Sequence, residues 1–152
     1  MGSLSIISGD LFEQDVDAFV NAVNCVGVMG AGIALEFKRR FPRMFEDYAL
    51  RCRTRLLRPG IVHVAEVMIG GRSRHVLNVP TKLHWRDDSS LEIVELGLAG
   101  LVDVVKQRGF ASIAMPALGC GLGGLALRDV MPLMESAAQA MSPSSLHLVV
   151  NH

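Results

Sequence analysis

Two glycine-rich segments, Gly27-Val-Met-Gly30-Ala-Gly32 and Gly119-Cys-Gly121-Leu-Gly-Gly124, each follow a β-like run and lead into a helix-like one. Strand, glycine loop and helix in succession, twice in one short chain, point to an α/β fold with both loops at the carboxyl ends of strands. Such a loop gathers unpaired backbone N–H groups and the positive end of a helix dipole, and so suits phosphate. Two of them suggest a ligand with two phosphates, or one phosphate gripped from both sides.

The remaining pattern agrees. Short β-branched runs predict strands at Leu4–Ile7, Ala18–Val23, Ile61–Val67, His75–Val79, Ser112–Met115 and Leu146–Val150. Helical spacing covers Ile33–Tyr48, where Pro42 should break or kink the helix. The clearest helix is Ser90–Arg108, capped by Ser89 or Ser90 and stopped by Gly109, with Leu91, Val94, Leu98, Leu101 and Val105 in one apolar stripe. A third helix is predicted at Val130–Met141, with Pro132 tolerated in its first turn. No linker, low-complexity run or internal repeat divides the 152 residues, so one domain spanning 1–152 is expected.

Composition narrows the class. Fifteen basic residues balance fifteen acidic ones, without the basic excess of a generic nucleic-acid binder. This leaves room for a site that recognises one nucleotide. The Lys38-Arg39-Arg40 run and the cluster from Arg51 to Arg58 read as solvated helix faces. Cys25, Cys52 and Cys120 cannot all pair, so reduced thiols and a cytoplasmic location are expected. The start, Met1-Gly2-Ser3-Leu-Ser-Ile-Ile, has neither a basic segment nor a sustained apolar one, and no signal peptide or membrane span is expected.

Familiar catalytic patterns are missing or incomplete. The second loop formally satisfies G-x-G-x-x-G, but too little chain follows it to complete a dinucleotide-binding unit. Neither loop ends in the Gly-Lys-Ser/Thr of a P-loop, and no G-x-S-x-G elbow is present. The five histidines, 63, 75, 84, 147 and 152, have no metal-ligand spacing, so no metal and no cofactor are expected.

Individual residues suggest a nucleotide site. Asn21 and Asn24 bracket the end of the second strand, where an amide suits the vicinal hydroxyls of a ribose or simply forms a turn. Asp10 follows the first strand and either accepts from an exocyclic amine, such as that of adenine, or caps a turn. Lys82, in Pro80-Thr-Lys-Leu-His-Trp-Arg86, follows the fourth strand beside the chain's single tryptophan. It can bind phosphate, or act as a nucleophile if desolvation makes it one. His84 reads as a loop histidine. Cys25 and Cys120 abut the glycine loops, where packing of a small residue explains them better than a reactive thiol.

Gly9-Asp10-Leu11, Asn21-Ala-Val-Asn24, Gly27 to Lys38, Pro80 to Arg86 and Pro116 to Gly124 together resemble the macrodomain family, in order and spacing, over essentially the whole chain. The branch is similar to the terminal ADP-ribose protein glycohydrolase and to the antitoxin that removes ADP-ribose from DNA thymidine. The resemblance implies a three-layer α/β/α sandwich around a mixed, roughly six-stranded sheet, with ADP-ribose in a crevice. Asp10 and Leu11 would lie at the adenine. Gly30, Ala31, Gly32 and Ile33 with Gly119, Cys120, Gly121, Leu122 and Gly123 would wrap the diphosphate and distal ribose. Asn21 or Asn24 would touch that ribose, with Asn24 preferred, and Thr81 would adjoin Lys82 at the anomeric carbon. The resolving aspartate of the protein-directed enzyme is matched by Gly123, and the aspartate of the antitoxin's Gly-Gly-Leu-Asp-Trp by Ala126. An ordered water, Asp87 or Asp88 would have to replace them. Ala31, usually lysine in the antitoxins, matches the protein-directed branch.

The leading expectation is therefore an ADP-ribosyl glycohydrolase acting as a monomer on mono-ADP-ribosylated protein at carboxylate-linked esters. ADP-ribosylated DNA is the second substrate class to test, and a non-catalytic reader of ADP-ribose the third.

Overall fold

In a strand, successive side chains face opposite sides of the sheet, so a sheet buried on both faces must be apolar at nearly every position. The computed structural model describes residues 4–150; Met1-Gly2-Ser3 and His152 of the sequence reading lie outside them. The elements are β1 (Leu4–Ser8), β2 (Ala18–Val23), α1 (Gly32–Arg40), α2 (Pro42–Arg53), β3 (His63–Ile69), β4 (Arg72–Pro80), α3 (Leu91–Arg108), β5 (Ser112–Met115), α4 (Leu127–Ala140) and β6 (Ser145–Val150). They form one sheet in the order β1-β6-β5-β2-β4-β3. Every neighbouring pair is parallel except β3 with β4.

Alternation sorts the interior into two layers. Val20, Leu77, Ile113 and Leu148 face α3 and α4. Their neighbours Phe19, Val76, Ala114 and Val149 face α1 and α2. The helices answer with stripes of matching period: Val94, Leu98, Leu101 and Val105 on α3, and Met44, Tyr48 and Cys52 on α2. Leu91, expected in the α3 stripe, is exposed at the start of that helix. The result is the mixed six-stranded α/β/α sandwich that the resemblance implies.

Three local details differ from the sequence reading. As expected, Pro42 divides the first helical region into two helices, serving as a first-turn residue of α2, but α2 runs past Tyr48 to Arg53. α4 begins at Leu127, which places Pro132 inside the helix rather than in its first turn. β3 and β4 extend to a two-residue hairpin at Gly70-Gly71, both with positive φ (61° and 74°), whereas the β-branched runs ended at Val67 and resumed at His75. Two consecutive left-handed residues are what a tight hairpin matched to strand twist requires.

A chain of buried amides crosses the α1/α2 side. Asn21 Nδ2 donates to Asn78 Oδ1 at 3.0 Å, Asn78 Nδ2 donates to His63 Nδ1 at 2.9 Å, and His63 Nε2 donates to Asp47 Oδ2 at 2.6 Å. With Nδ1 accepting, this chain accommodates only the neutral imidazole. Burial accordingly holds the His63 pKa below its usual 6.5, outweighing the opposite pull of the Asp47 carboxylate. The unfolded chain takes up a proton near pH 6.5 that the folded chain refuses, so this stability is full above pH 6.5 and declines as pH falls through the lowered value. Denaturant titrations at pH 7.5 and 5.5 should show wild type losing stability, at up to about 1.4 kcal/mol per pH unit from this group. His63→Gln should lose less, and an equal loss would remove His63 as the titrating group.

Candidate active site

Five parallel strands bring their carboxyl ends to one edge of the sheet, and loops from β2, β4 and β5 meet there. Between them lies a crevice of about 880 Å³, a size suited to a nucleotide-sized ligand. Asn24, residues 30–33, Thr81, Lys82 and residues 119–123 all line it. The glycine loops, almost ninety residues apart in sequence, thus form opposite walls.

Backbone hydrogen bonds assemble these walls. Beyond Pro80 the β2–β4 pairing continues as Thr81 N–H to Val23 O (2.9 Å) and Cys25 N–H to Leu83 O (3.0 Å). Lys82 is thereby held in a loop tied on both sides to the residues that lead into the first glycine segment. On the far side, Ser89 N–H donates to Gly123 O at 2.8 Å, tying the lysine loop to the second segment. Lys82 Nζ makes one weak contact, donating to Trp85 O at 3.3 Å. Among the described residues lining the crevice, Lys82 alone carries a charge.

Besides the uncharged polar side chains of Asn24, Thr81, Trp85 and Ser89, the polar lining is main chain. α1 starts at Gly32 with no side chain capping it, and residues 32–34, whose N–H groups begin that helix, line the crevice. The second loop winds a single 3-10 turn at Gly121–Gly123, again without a side-chain cap. Uncapped helix starts on both walls offer donors and positive dipole ends to an anion.

Asn24 lines the crevice, but its amide is spent locally. Oδ1 accepts from Val26 N (3.1 Å), Val28 N (3.4 Å) and the Tyr48 hydroxyl (2.8 Å), and Nδ2 donates to Val28 O (2.8 Å). It shapes the first glycine loop from beneath. Asn21 is fully buried in the amide chain on β2 and does not line the crevice. Asp10 also lies outside the lining: its Oδ1 accepts from Phe12 N at 2.9 Å and caps the short turn Leu11–Glu13. The Leu11 side chain is fully buried in the core.

Trp85 and Ser89 line the crevice without having been assigned to it from sequence. The signals were its status as sole tryptophan for the first, and a redundant cap for the second. Ser90 is the cap of α3, its Oγ accepting from Ile93 N at 3.2 Å, which releases Ser89. Trp85 is half exposed, with the His84 ring 5.2 Å away and the Arg86 guanidinium 5.3 Å from its own ring. His84 itself is a loop residue outside the lining. Of the two nearby carboxylates, Asp87 accepts from His84 N at 3.2 Å, and Asp88 rests against Gly124; both are exposed and neither lines the crevice.

Burial raises the pKa of both loop cysteines, that of Cys25 to about 11 with Cys52 adding to the effect. Their thiols therefore stay protonated at neutral pH, and neither is a thiolate nucleophile. Among the described residues, no cluster of three His, Cys, Asp or Glu side chains can hold a metal, and no helix is long and apolar enough to cross a membrane.

The architecture has well-matched relatives. The family described as "Macro domain" matches residues 20–134. A protein named DNA ADP-ribosyl glycohydrolase from Mycobacterium tuberculosis is 45% identical over 134 residues, or 88% of this chain and 38% of that protein. The chain thus spans about two fifths of that curated relative. The solved macrodomain of Mycobacterium tuberculosis DarG superposes with a TM-score of 0.93 at 41% identity, covering 98% of both chains. Thermosipho africanus DarTG in complex with ADP-ribose gives 0.88 at 31% identity over 98% of this chain and 42% of that one. With its sheet order, two glycine-loop walls and lysine loop all in place, this chain belongs to the Macro domain family.

Proposed function

We propose that the crevice binds ADP-ribose and that the protein hydrolyses the bond joining its C1″ to a DNA base. The observation that carries this reading is one cation, Lys82, set between two walls of backbone donors. The diphosphate sits against the amides of residues 32–34 and of Gly119, Gly121 and Leu122, where the dipoles rather than side-chain charges compensate it. The adenine lies toward Asp10, whose second carboxylate oxygen takes no part in the turn cap and can accept from an exocyclic amine. The distal ribose then lies at Thr81 and Lys82.

In the reaction the bond from C1″ to the base breaks, water delivers hydroxyl to C1″, and its proton goes to the departing base. Lys82 acts at C1″, either by stabilising the charge that builds on the leaving group or by attacking the sugar as an amine. DNA is favoured over protein as the carrier by the 45% identical relative named DNA ADP-ribosyl glycohydrolase and by Trp85. Half exposed at the crevice mouth beside Arg86, that indole is a platform on which a base stacks. Removal of ADP-ribose from protein carboxylates is the second reading, supported by Ala31 in the first loop.

Release of ADP-ribose from a modified thymidine oligonucleotide and from a glutamate-modified protein, measured side by side, decides between the carriers; faster turnover of the protein substrate would reverse the preference. Lys82→Ala should slow turnover roughly 100- to 1000-fold while ADP-ribose binding survives, and wild-type turnover would refute the assigned role. Lys82→Arg separates the two chemistries, since it keeps charge without a nucleophilic amine. Tyr48→Phe removes the hydroxyl that anchors Asn24 beneath the first loop. It should cost about 1 kcal/mol of stability and weaken ADP-ribose binding in calorimetry; unchanged affinity would mean that the loop holds its shape without that anchor.

A further inference from the structure

Ser89 is the unexplained group of the crevice. It lines the cavity, is only 6% exposed, and its Oγ has no hydrogen-bond partner. Buried hydroxyls in folded proteins are nearly always paired, so an unpaired one on the wall of a binding cavity, here enclosed against Gly123, marks a place where a ligand or water completes it once the hydroxyl turns toward the cavity. A second observation concerns the wall opposite. A β-carbon added to Gly123 would lie 2.5 Å from Ser89 Oγ and 3.1 Å from its Cβ. Gly123 is not among the glycines with positive φ, so its backbone conformation does not demand glycine. What excludes a side chain there is the Ser89 hydroxyl, which occupies the space that such a side chain would fill. The Ser89 N–H to Gly123 O bond fixes this arrangement at 2.8 Å.

We propose that Ser89 is a ligand-binding residue, its hydroxyl bonding the distal ribose of ADP-ribose at the anomeric end of the crevice. This rests on the ADP-ribose reading above. Ser89 closes the same loop that carries Lys82 and abuts the last residue of the second glycine wall, which places it at the sugar end rather than at the adenine end near Asp10. A hydroxyl donates and accepts at once, which matches a sugar diol better than it matches an anion. The nearby carboxylates do not compete for this role, because Asp87 is engaged with the His84 amide and Asp88 faces Gly124 from outside the cavity.

The test compares ADP-ribose with ADP, which has the same diphosphate and adenosine but no distal ribose. Calorimetry on Ser89→Ala should show roughly a three- to tenfold loss of affinity for ADP-ribose and none for ADP. Combining Ser89→Gly with Gly123→Ser returns a hydroxyl to the same space from the other wall and should recover most of the loss. Equal losses for both ligands would mean that Ser89 only shapes the crevice, and no loss for either would mean that it contacts neither; each result overturns the proposal. A folded double variant that stays at the Ser89→Ala affinity also overturns it. Failure of the wild type to bind ADP-ribose would instead remove the underlying assignment, and this inference with it.

Discussion

The working edge of this molecule depends on three backbone hydrogen bonds beyond the ends of its strands. Thr81 N to Val23 O and Cys25 N to Leu83 O prolong the β2–β4 pairing into what would otherwise be free loop, and Ser89 N to Gly123 O joins that loop to the β5 side. Main-chain bonds are short, directional and indifferent to side-chain rotamer entropy, so they position a lysine more firmly than its own flexible stem can. Lys82 needs such help, having only the long contact with Trp85 O.

The crevice handles charge economically. A diphosphate brings at least two negative charges, yet one lysine is the sole ionic group lining the cavity among the described residues. In the proposed complex, backbone amides at the start of α1 and in the second glycine loop would supply the remainder as fixed dipoles. Fixed dipoles need no counter-carboxylate nearby, and the overall neutrality of the chain is consistent with a site that draws nothing from long-range attraction. In the proposed reaction, the same isolation leaves Lys82 free to act at the sugar.

Beneath the site, polar residues do structural work that resembles site chemistry in sequence. Asn21 and Asn24 lie three residues apart at the end of one strand, but alternation turns them to different tasks. Asn21 enters the line of donors that runs through Asn78 and His63 to Asp47, whereas Asn24 folds the Val26–Val28 turn with Tyr48 as its anchor. Both are polar groups whose burial would be costly unless bonded. Nothing in the spacing of two asparagines distinguishes a bonded core amide from one that faces a ligand.

The order of strands and helices, the two-faced sheet, the break at Pro42 and the placement of both glycine loops were all written in local pattern, because hydrophobic period and backbone-specific residues act over a few positions. So was the placement of Lys82 in the loop after β4 beside the only tryptophan, which the fold brings to the crevice. The Gly70-Gly71 hairpin was equally local but was obscured by the polar run from Arg72 to Arg74. What only the tertiary structure decided was which side chains reach the crevice. Ser89 arrived there because Ser90 took the cap, Asn21 was withdrawn by a strand pairing with a residue fifty-seven positions away, and Gly123 was reserved by a hydroxyl from another loop. These outcomes depend on contacts between segments distant in sequence, and competition for a shared volume or a shared hydrogen bond is settled only once the segments have met.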